Sequence, residues 1–200
     1  MWLGNRPGSL LEVGCGSGTF LAAAHASGWT VFGIDVSRWA AARIEEQYGI
    51  RVEVGDIETA AIPSRPVDVV HLSHVLEHVD EPRRALDRLC SILRPGGRLV
   101  VEVPNELFCT YDRLRWLLLR RIGSSVTPYN PHLFFFTAFS LKSLLEACGL
   151  NVISICTERR NEDDQSRFPL GATIKKLIYK VENWTRTGPN IVITAQRPSL

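Results

Sequence analysis

The 200-residue sequence lacks any apolar run that approaches the roughly 20 residues of a membrane-spanning helix. Its first residues also lack the apolar stretch of a signal peptide. Neither sign of charge dominates, because 23 Lys and Arg residues against 21 Asp and Glu residues give a formal net charge of +2. That balance is too small to indicate a nucleic-acid partner. We therefore expect a cytoplasmic protein with no transmembrane segment.

The sequence also lacks a paired arrangement of cysteines. The five cysteines are odd in number, widely spaced and without a C-x-x-C pair. This is the pattern of reduced, buried thiols, and it differs from that of a disulfide framework or a zinc site. A hydrophobic content of 45% suits one globular domain, which we expect to span residues 1–200.

Strand-like and helix-like segments alternate along most of the chain. The pattern predicts strands at 10–13, 30–34, 51–54, 67–72, 98–103, 151–157 and 190–196, and helices at 19–27, 38–48, 82–93, 140–148 and 174–185. Such alternation is typical of a doubly wound α/β sheet with right-handed crossovers. The regularity stops between 105 and 136.

One turn combines an acidic residue with three alternating glycines. In LLEVGCGSG (10–18), Glu12 lies near the end of a strand, and Gly14, Gly16 and Gly18 precede a helix. Glycines allow sharp turns and close approach of a ligand, and a strand–glycine turn–helix unit is typical of nucleotide sites. The spacing G-x-G-x-G differs from the G-x-G-x-x-G of dinucleotide binders, and the turn lacks the Gly-Lys-Ser/Thr of a phosphate loop.

Acidic residues also follow the next two predicted strands. Asp35 ends the second strand and Asp56 follows the third. Ligands of open α/β sheets bind outside the carboxyl ends of the strands, where Asp35 can accept hydrogen bonds from ribose hydroxyls and Asp56 from an adenine amine. A pyrophosphate would instead need a helix N-terminus free of surplus anions. The pair favours a nucleoside without phosphates, and the alternative is an ordinary capping role for both carboxylates.

The chain resembles the class I S-adenosylmethionine (SAM)-dependent methyltransferases in five segments. In order, they are LLEVGCGSG (10–18), VFGID (31–35), GDI (55–57), VDVVHLSHVLEHV (67–79) and PGGRLVVEVPN (95–105). The resemblance covers about residues 8–157 and is greatest to the branch of ubiquinone-biosynthesis-type and small-molecule or glycan O-methyltransferases. It implies a Rossmann-like seven-stranded sheet of order 3-2-1-4-5-7-6, with the last strand antiparallel and helices on both faces.

The resemblance also implies that SAM is the cofactor. Gly14, Cys15, Gly16 and Gly18 would hold its methionine portion, with Glu12 near the amino group.

The same resemblance assigns partners to the rest of SAM. Asp35 would bind the ribose and Val36 would lie against the adenine. Asp56 would bind the adenine amine, while Ile57 would pack on the ring. The backbone of Leu72-Ser73 would line the methionyl end.

Three histidines near this sheet edge are candidate catalytic bases: His74, His78 and His132. Methyl transfer from a sulfonium depends mainly on alignment and can proceed without a dedicated base. A hydroxyl acceptor must lose a proton, which a neutral imidazole can take near pH 7. The alternatives stay open: the segment 76–78 only caps the next helix and shapes the pocket floor, and His132 only orders the turn before the next predicted helix.

The sequence differs from some relatives at the residues of a metal site. Ubiquinone-pathway relatives can carry a Glu-x-x-Glu-His metal site at the positions of His74, Glu77 and His78. Because a histidine stands in place of the first glutamate, we predict no metal.

We expect a lid-like insertion at about 105–136. Its segment 111–121 mixes leucines with four arginines, which predicts an amphipathic helix with a solvated basic face. A lid over the acceptor or a peripheral membrane contact are the alternatives. The first predicted strand begins within about ten residues of Met1, so we expect the N-terminal cap usual in this branch to be missing.

The sequence therefore predicts SAM-dependent methyl transfer to a small-molecule, sugar or lipid-linked acceptor, at oxygen, with carbon and nitrogen as the alternative acceptor atoms. One alternative is a non-catalytic partner subunit that keeps the fold. Another is a nicotinamide-dependent oxidoreductase, which Asp35 fits but which the glycine spacing and Asp56 disfavour.

Overall fold

Strands and helices alternate in a computed structural model that describes residues 6–105, 132–158, 180–181, 184–185 and 187–199. The elements are β1 (Ser9–Val13), α1 (Thr19–Ala26), β2 (Thr30–Asp35), α2 (Arg38–Tyr48), β3 (Val52–Val54), β4 (Val67–Ser73), a 3₁₀ turn (Leu76–His78), α3 (Pro82–Ile92), β5 (Leu93–Pro104), α4 (Ala138–Ala147), β6 (Asn151–Glu158) and β7 (Asn190–Gln196).

The seven strands form one sheet in the order β3-β2-β1-β4-β5-β7-β6. Strands β1 to β5 pair in parallel, whereas β7 is antiparallel to both β5 and β6. This confirms the predicted order and the antiparallel last strand. The chain passes from β1 to β2 and β3 on one side and returns to β4 on the other. The carboxyl ends of β1 and β4 therefore flank the crevice in which such sheets bind ligands.

Alternate residues of β1 belong to two separate cores. Leu10 packs in a cluster with Leu21 of α1 and Ile44 of α2, while Leu11 packs in a cluster with Leu86 of α3 and Leu141 of α4. Successive side chains of a strand point to opposite faces of the sheet. Helices therefore cover both faces, and all six side chains are essentially fully buried.

The start of β5 corrects the predicted one. The glycines at 96–97 were expected to stop a helix ending at residue 93, with a strand from 98. Instead α3 ends at Ile92, and Leu93 already pairs with Val67. The register then slips, so that Arg98 pairs with Val69. Gly96 has a φ of +75°, which glycine adopts at little cost. These glycines form an irregularity inside the strand.

Helix ends follow their capping residues. The Ser37 side chain accepts from the Ala40 N–H at 3.2 Å, which confirms the expected cap of α2. Helix α4 begins two residues before the predicted start, because Thr137 is its N-cap. The Thr137 side chain accepts from the Ser140 N–H, and the Ser140 side chain accepts from the Thr137 N–H. This reciprocal capping satisfies two otherwise unpaired donors.

Two predicted segments fall mainly outside the described residues. The segment 111–121 and most of the lid-like insertion lie there, as does most of the predicted helix 174–185, of which 180–181 and 184–185 are helical. The cysteines that are described, at 15, 90, 148 and 156, are free thiols. Within the described ranges, no helix has the length and apolar character needed to cross a membrane.

Candidate functional site

The glycine turn between β1 and α1 has left-handed backbone at alternate positions. Gly14, Gly16 and Gly18 have φ values of +73°, +53° and +73°. A Cβ added to Gly14 would lie 2.3 Å from Val75 Cγ2, and one on Gly18 would lie 2.5 Å from Ile44 Cγ1. A Cβ on Gly16 would meet nothing within 4 Å. Two glycines thus permit close packing inside the protein, while the third leaves open space at the sheet edge.

Asp35 joins this turn to the end of β2. Its side chain is 6% exposed. Oδ2 accepts from the Gly16 N–H at 2.9 Å, and Oδ1 accepts from the Ser37 N–H at 2.8 Å. Each carboxylate oxygen can accept two hydrogen bonds, so each retains one lone pair for a further donor. The neighbouring Val36 is 72% exposed, which places an apolar surface beside the carboxylate.

Asp56 lies in an exposed turn after β3. Its Oδ1 accepts from the Glu58 N–H at 2.7 Å, and its carbonyl oxygen accepts from the Ala60 N–H at 2.7 Å. The carboxylate thus has the turn-capping role considered as the alternative, while it still faces solvent. Ile57 is only 3% exposed and packs in the core, so little of its surface is left for a ring. Adenine binding by these two residues stays a prediction.

Glu12 and His71 form a buried contact across β1 and β4. The two residues are paired in register, and Glu12 Oε1 lies 3.3 Å from His71 Nδ1. The Phe20 ring lies 4.3 Å from the imidazole, centroid to centroid. Burial raises the pKa of the Glu12 carboxyl, although the contact with His71 partly offsets this effect. Among the described residues, Glu12 Oε2 has no hydrogen-bond partner.

His71 was not a predicted site residue. Its one signal in the sequence is that it lies near the end of the fourth predicted strand, two residues before Ser73. Only the β1–β4 register turns that position into a contact.

Cys15 is buried under the same turn. Its Sγ donates to the carbonyl oxygens of Glu12 and Ile34, at 3.5 and 3.6 Å. Burial and the nearby Glu12 raise the pKa of the thiol far above its ordinary value. A neutral thiol is a poor nucleophile, so Cys15 contributes packing and backbone shape to the turn.

The end of β4 is tied to β5 through Glu102. Leu72 is fully buried, and the Ser73 hydroxyl donates to Glu102 Oε2 at 2.9 Å. The His74 N–H donates to the Glu102 carbonyl at 3.0 Å. His74 has a φ of +55°, which is unfavourable for a residue with a Cβ. These bonds hold the turn after β4 in that strained conformation.

The His74 imidazole lies between two carboxylates. Its Nε2 is 3.7 Å from Glu102 Oε1, and its Nδ1 is 3.3 Å from Glu77 Oε1. Glu102 and Glu77 together raise the pKa of His74 to about 9. An imidazole with that pKa carries its extra proton at neutral pH. The resulting cation balances part of the negative charge of the Glu77 and Glu102 carboxylates.

His78 and His132 meet beside Glu77. The Leu133 and Phe134 N–H groups donate to the Glu77 carbonyl at 2.8 and 3.1 Å, which holds the segment before α4 against the 3₁₀ turn. The two imidazole centroids are 4.8 Å apart, with the rings nearly edge to face. The structure therefore brings all three predicted histidines around Glu77. Their catalytic role stays a prediction.

The fold and the sequence both match known proteins. The methyltransferase domain family matches residues 2–155. The chain is 28% identical over 169 residues to a ubiquinone biosynthesis O-methyltransferase of Coxiella burnetii, covering 79% of this chain and 71% of the relative. It is 40% identical over 115 residues to an uncharacterised transposon protein of Streptomyces fradiae, covering 54% of this chain and 33% of that protein. The chain thus spans about a third of the Streptomyces relative's length.

Solved structures show the same architecture. A methyltransferase of Haloferax volcanii in complex with the Trm112 activator has a TM-score of 0.70 at 18% identity, over 98% of this chain and 85% of that one. The N-methyltransferase NodS of Bradyrhizobium japonicum, in complex with S-adenosylhomocysteine (SAH), has a TM-score of 0.63 at 18% identity, over 98% and 82%. With the family match covering most of its length, the chain belongs to the class I SAM-dependent methyltransferase family.

Proposed function

We propose that this chain binds SAM at the carboxyl edge of its sheet and transfers the methyl group to an oxygen of a small-molecule, sugar or lipid-linked acceptor. The observation that carries the proposal is the position of Asp35. Its carboxylate is fixed by the N–H groups of Gly16 and Ser37, beside the exposed Val36. A fixed double acceptor next to an apolar surface suits a nucleoside, whose ribose offers two hydroxyls next to a flat base.

The remaining parts of SAM have candidate partners at the same edge. Open space at Gly16 leaves room for the methionine portion. Glu12 Oε2, which has no hydrogen-bond partner among the described residues, is proposed to lie near the ammonium group. The exposed carboxylate of Asp56 is proposed to accept from the adenine amine. These assignments together account for a cofactor that carries one positive sulfonium and no phosphate.

Transfer to oxygen requires one bond to form as another breaks. The methyl carbon bonds to the acceptor oxygen, its bond to sulfur breaks, and the sulfonium becomes the neutral thioether of SAH. The acceptor hydroxyl must lose its proton, and proximity with correct alignment supplies most of the rate enhancement. We propose that His74 is held as a cation between Glu102 and Glu77 and fixes the positions of these two carboxylates beside the acceptor. His78 and His132 remain candidate bases.

The acceptor is proposed at the level of its chemistry. The Coxiella relative is named as an O-methyltransferase of ubiquinone biosynthesis, which supports oxygen as the acceptor atom. The segment 106–131, which would include a lid over the acceptor, lies outside the described residues. Support for the acceptor therefore comes from the name of the Coxiella relative and from the residues at the carboxyl edge of the sheet.

An acceptor screen tests the proposal. The protein is incubated with SAM and with panels of phenols, sugars and lipid-linked alcohols, and both SAH release and the methylated product are measured. Acceptor-dependent SAH release with formation of a methyl ether is the expected result. A methylated amine or carbon would contradict transfer to oxygen. SAM binding without SAH release from any panel member would favour the non-catalytic partner subunit instead.

A further inference from the structure

Glu77 is a buried carboxylate with unsatisfied oxygens. It is 1% exposed, and neither Oε1 nor Oε2 has a hydrogen-bond partner among the described residues. Oε1 makes only an ion-pair contact with His74 Nδ1, at 3.3 Å. Burial of a carboxylate is costly unless its lone pairs are satisfied by donors or by a cation. The structure thus leaves acceptor capacity unused on a side chain that is itself shielded from solvent.

Two imidazoles and the Glu77 carboxylate bring ligand atoms close together. One ligand atom each from Glu77, His78 and His132 lies within 4.8 Å of the others. Ligands at about 2.1 Å from a shared ion are separated by up to roughly 4 Å, so small side-chain rotations suffice to bring the three onto one ion. The backbone bonds from Leu133 and Phe134 to the Glu77 carbonyl hold the two segments at this spacing.

We propose that Glu77, His78 and His132 form a binding site for a borderline divalent transition metal, such as Zn²⁺, Co²⁺ or Fe²⁺. Two imidazoles and one carboxylate are the donor set such ions favour, whereas Mg²⁺ prefers oxygen ligands alone. His74 takes no part as a ligand. His132, far along the chain, completes the set in place of the glutamate that a Glu-x-x-Glu-His site would need at position 74. This inference replaces our expectation, from the sequence, of no metal.

The site bears on the proton that the acceptor must lose, and this step rests on the proposed function. Glu77, His78 and His132 would hold the ion with coordination positions to spare, and the ion would supply Lewis acidity that favours loss of the acceptor's proton. A metal-bound imidazole nitrogen has no lone pair left for a proton. His78 and His132 would then act as ligands, and they would not act as bases.

Cobalt titration of the untagged, chelator-treated full chain tests the site without any need for activity. Co²⁺ bound to nitrogen and oxygen ligands gives visible d–d absorption. We expect saturation at one equivalent, displacement by Zn²⁺, and no displacement by a similar excess of Mg²⁺. H132A and H78A should each weaken Co²⁺ binding by at least about tenfold, because even residues that only support a ligand cost that much. H25A is the matched control, since His25 is an exposed histidine of α1.

Several results would overturn the proposal. They are the absence of d–d bands in the wild-type chain, unchanged cobalt affinity in H132A, or thiolate-to-cobalt bands that place the ion at cysteines. E77Q should also lose binding, and circular dichroism checks its fold. If E77Q fails to fold, the two histidine variants carry the test. Because cobalt binding is measured without SAM, a failure here is separate from a failure of SAM binding or methyl transfer.

Discussion

Glu12 Oε1 lies 3.3 Å from His71 Nδ1, in a buried contact between the central strands β1 and β4. The contact is at the base of the glycine turn, where the carboxyl ends of both strands flank the crevice. It joins the acidic residue proposed to lie near the SAM ammonium to a strand that also carries Ser73 and the turn at His74. His71 therefore helps to fix the position of the Glu12 carboxylate within the sheet.

The buried Glu12 gives a pH dependence of stability with a definite sign. Burial raises its pKa above the ordinary 4.5, so the folded chain binds this proton more tightly than the unfolded chain. Stability from this group is greatest at low pH and falls as the pH rises from about 4.5 through the raised pKa. Relative to the wild type, E12Q should therefore gain free energy of unfolding as pH increases through that window. Urea unfolding of both proteins at a series of pH values measures the difference.

A parallel series with E46Q, an exposed glutamate of α2, is the control and should follow the wild type. If the difference in free energy of unfolding between E12Q and the wild type stays constant from pH 4.5 upward, Glu12 has no raised pKa. The buried contact is then assigned wrongly.

Gly14 and Gly16 should respond differently to alanine. A Cβ at Gly14 lies 2.3 Å from Val75 Cγ2, so G14A should lower the free energy of unfolding by about 1–3 kcal/mol through steric overlap. G16A has no such neighbour, so it bears only the strain of left-handed backbone, about 1–2 kcal/mol, which G14A bears in addition to its overlap. The proposed site predicts that G16A nevertheless weakens SAM binding, because its methyl group fills the open space. Chemical unfolding and calorimetry on the two variants separate these effects, and unchanged SAM affinity in G16A would place the methionine portion elsewhere.

His74 should matter more for stability than an exposed histidine. H74A removes a cation from between Glu77 and Glu102 and keeps a Cβ at φ +55°. We expect a loss of about 1–3 kcal/mol in the free energy of unfolding, the range for leaving buried polar groups unsatisfied. H74N keeps a side chain that tolerates the left-handed conformation and should recover part of the loss. Equal stability of H74A and H25A, measured by urea unfolding, would show that the two contacts contribute nothing.

Local signals in the sequence predicted much of the fold. Helix α2 was expected at residues 38–48 and is found there, because Ser37 caps its start and Gly49 ends it in left-handed backbone. Strand β7 was likewise expected at 190–196. The start of β5 was missed, because the pairing of Leu93 with Val67 is a long-range contact that the glycines at 96–97 conceal.

The same distinction applies to the site. The acids at 12, 35 and 56 could be placed at strand ends from the sequence alone, because the ends of parallel strands meet at one edge. The meeting of His78 with His132 could not, because it depends on two backbone bonds from the segment before α4 to Glu77. Neither could the contact of Glu12 with His71, which depends on strand register.

Calorimetric titration with SAM, SAH and NAD measures directly whether this chain binds SAM. We predict that the wild-type chain binds SAM and SAH but not NAD. D35A should bind SAM more weakly by about 1.5–3 kcal/mol, the range for hydrogen bonds to a charged group. D87A, which removes an exposed carboxylate of α3, should match the wild type. Binding of NAD alone, or equal SAM affinity in D35A and the wild type, would contradict a SAM site at Asp35.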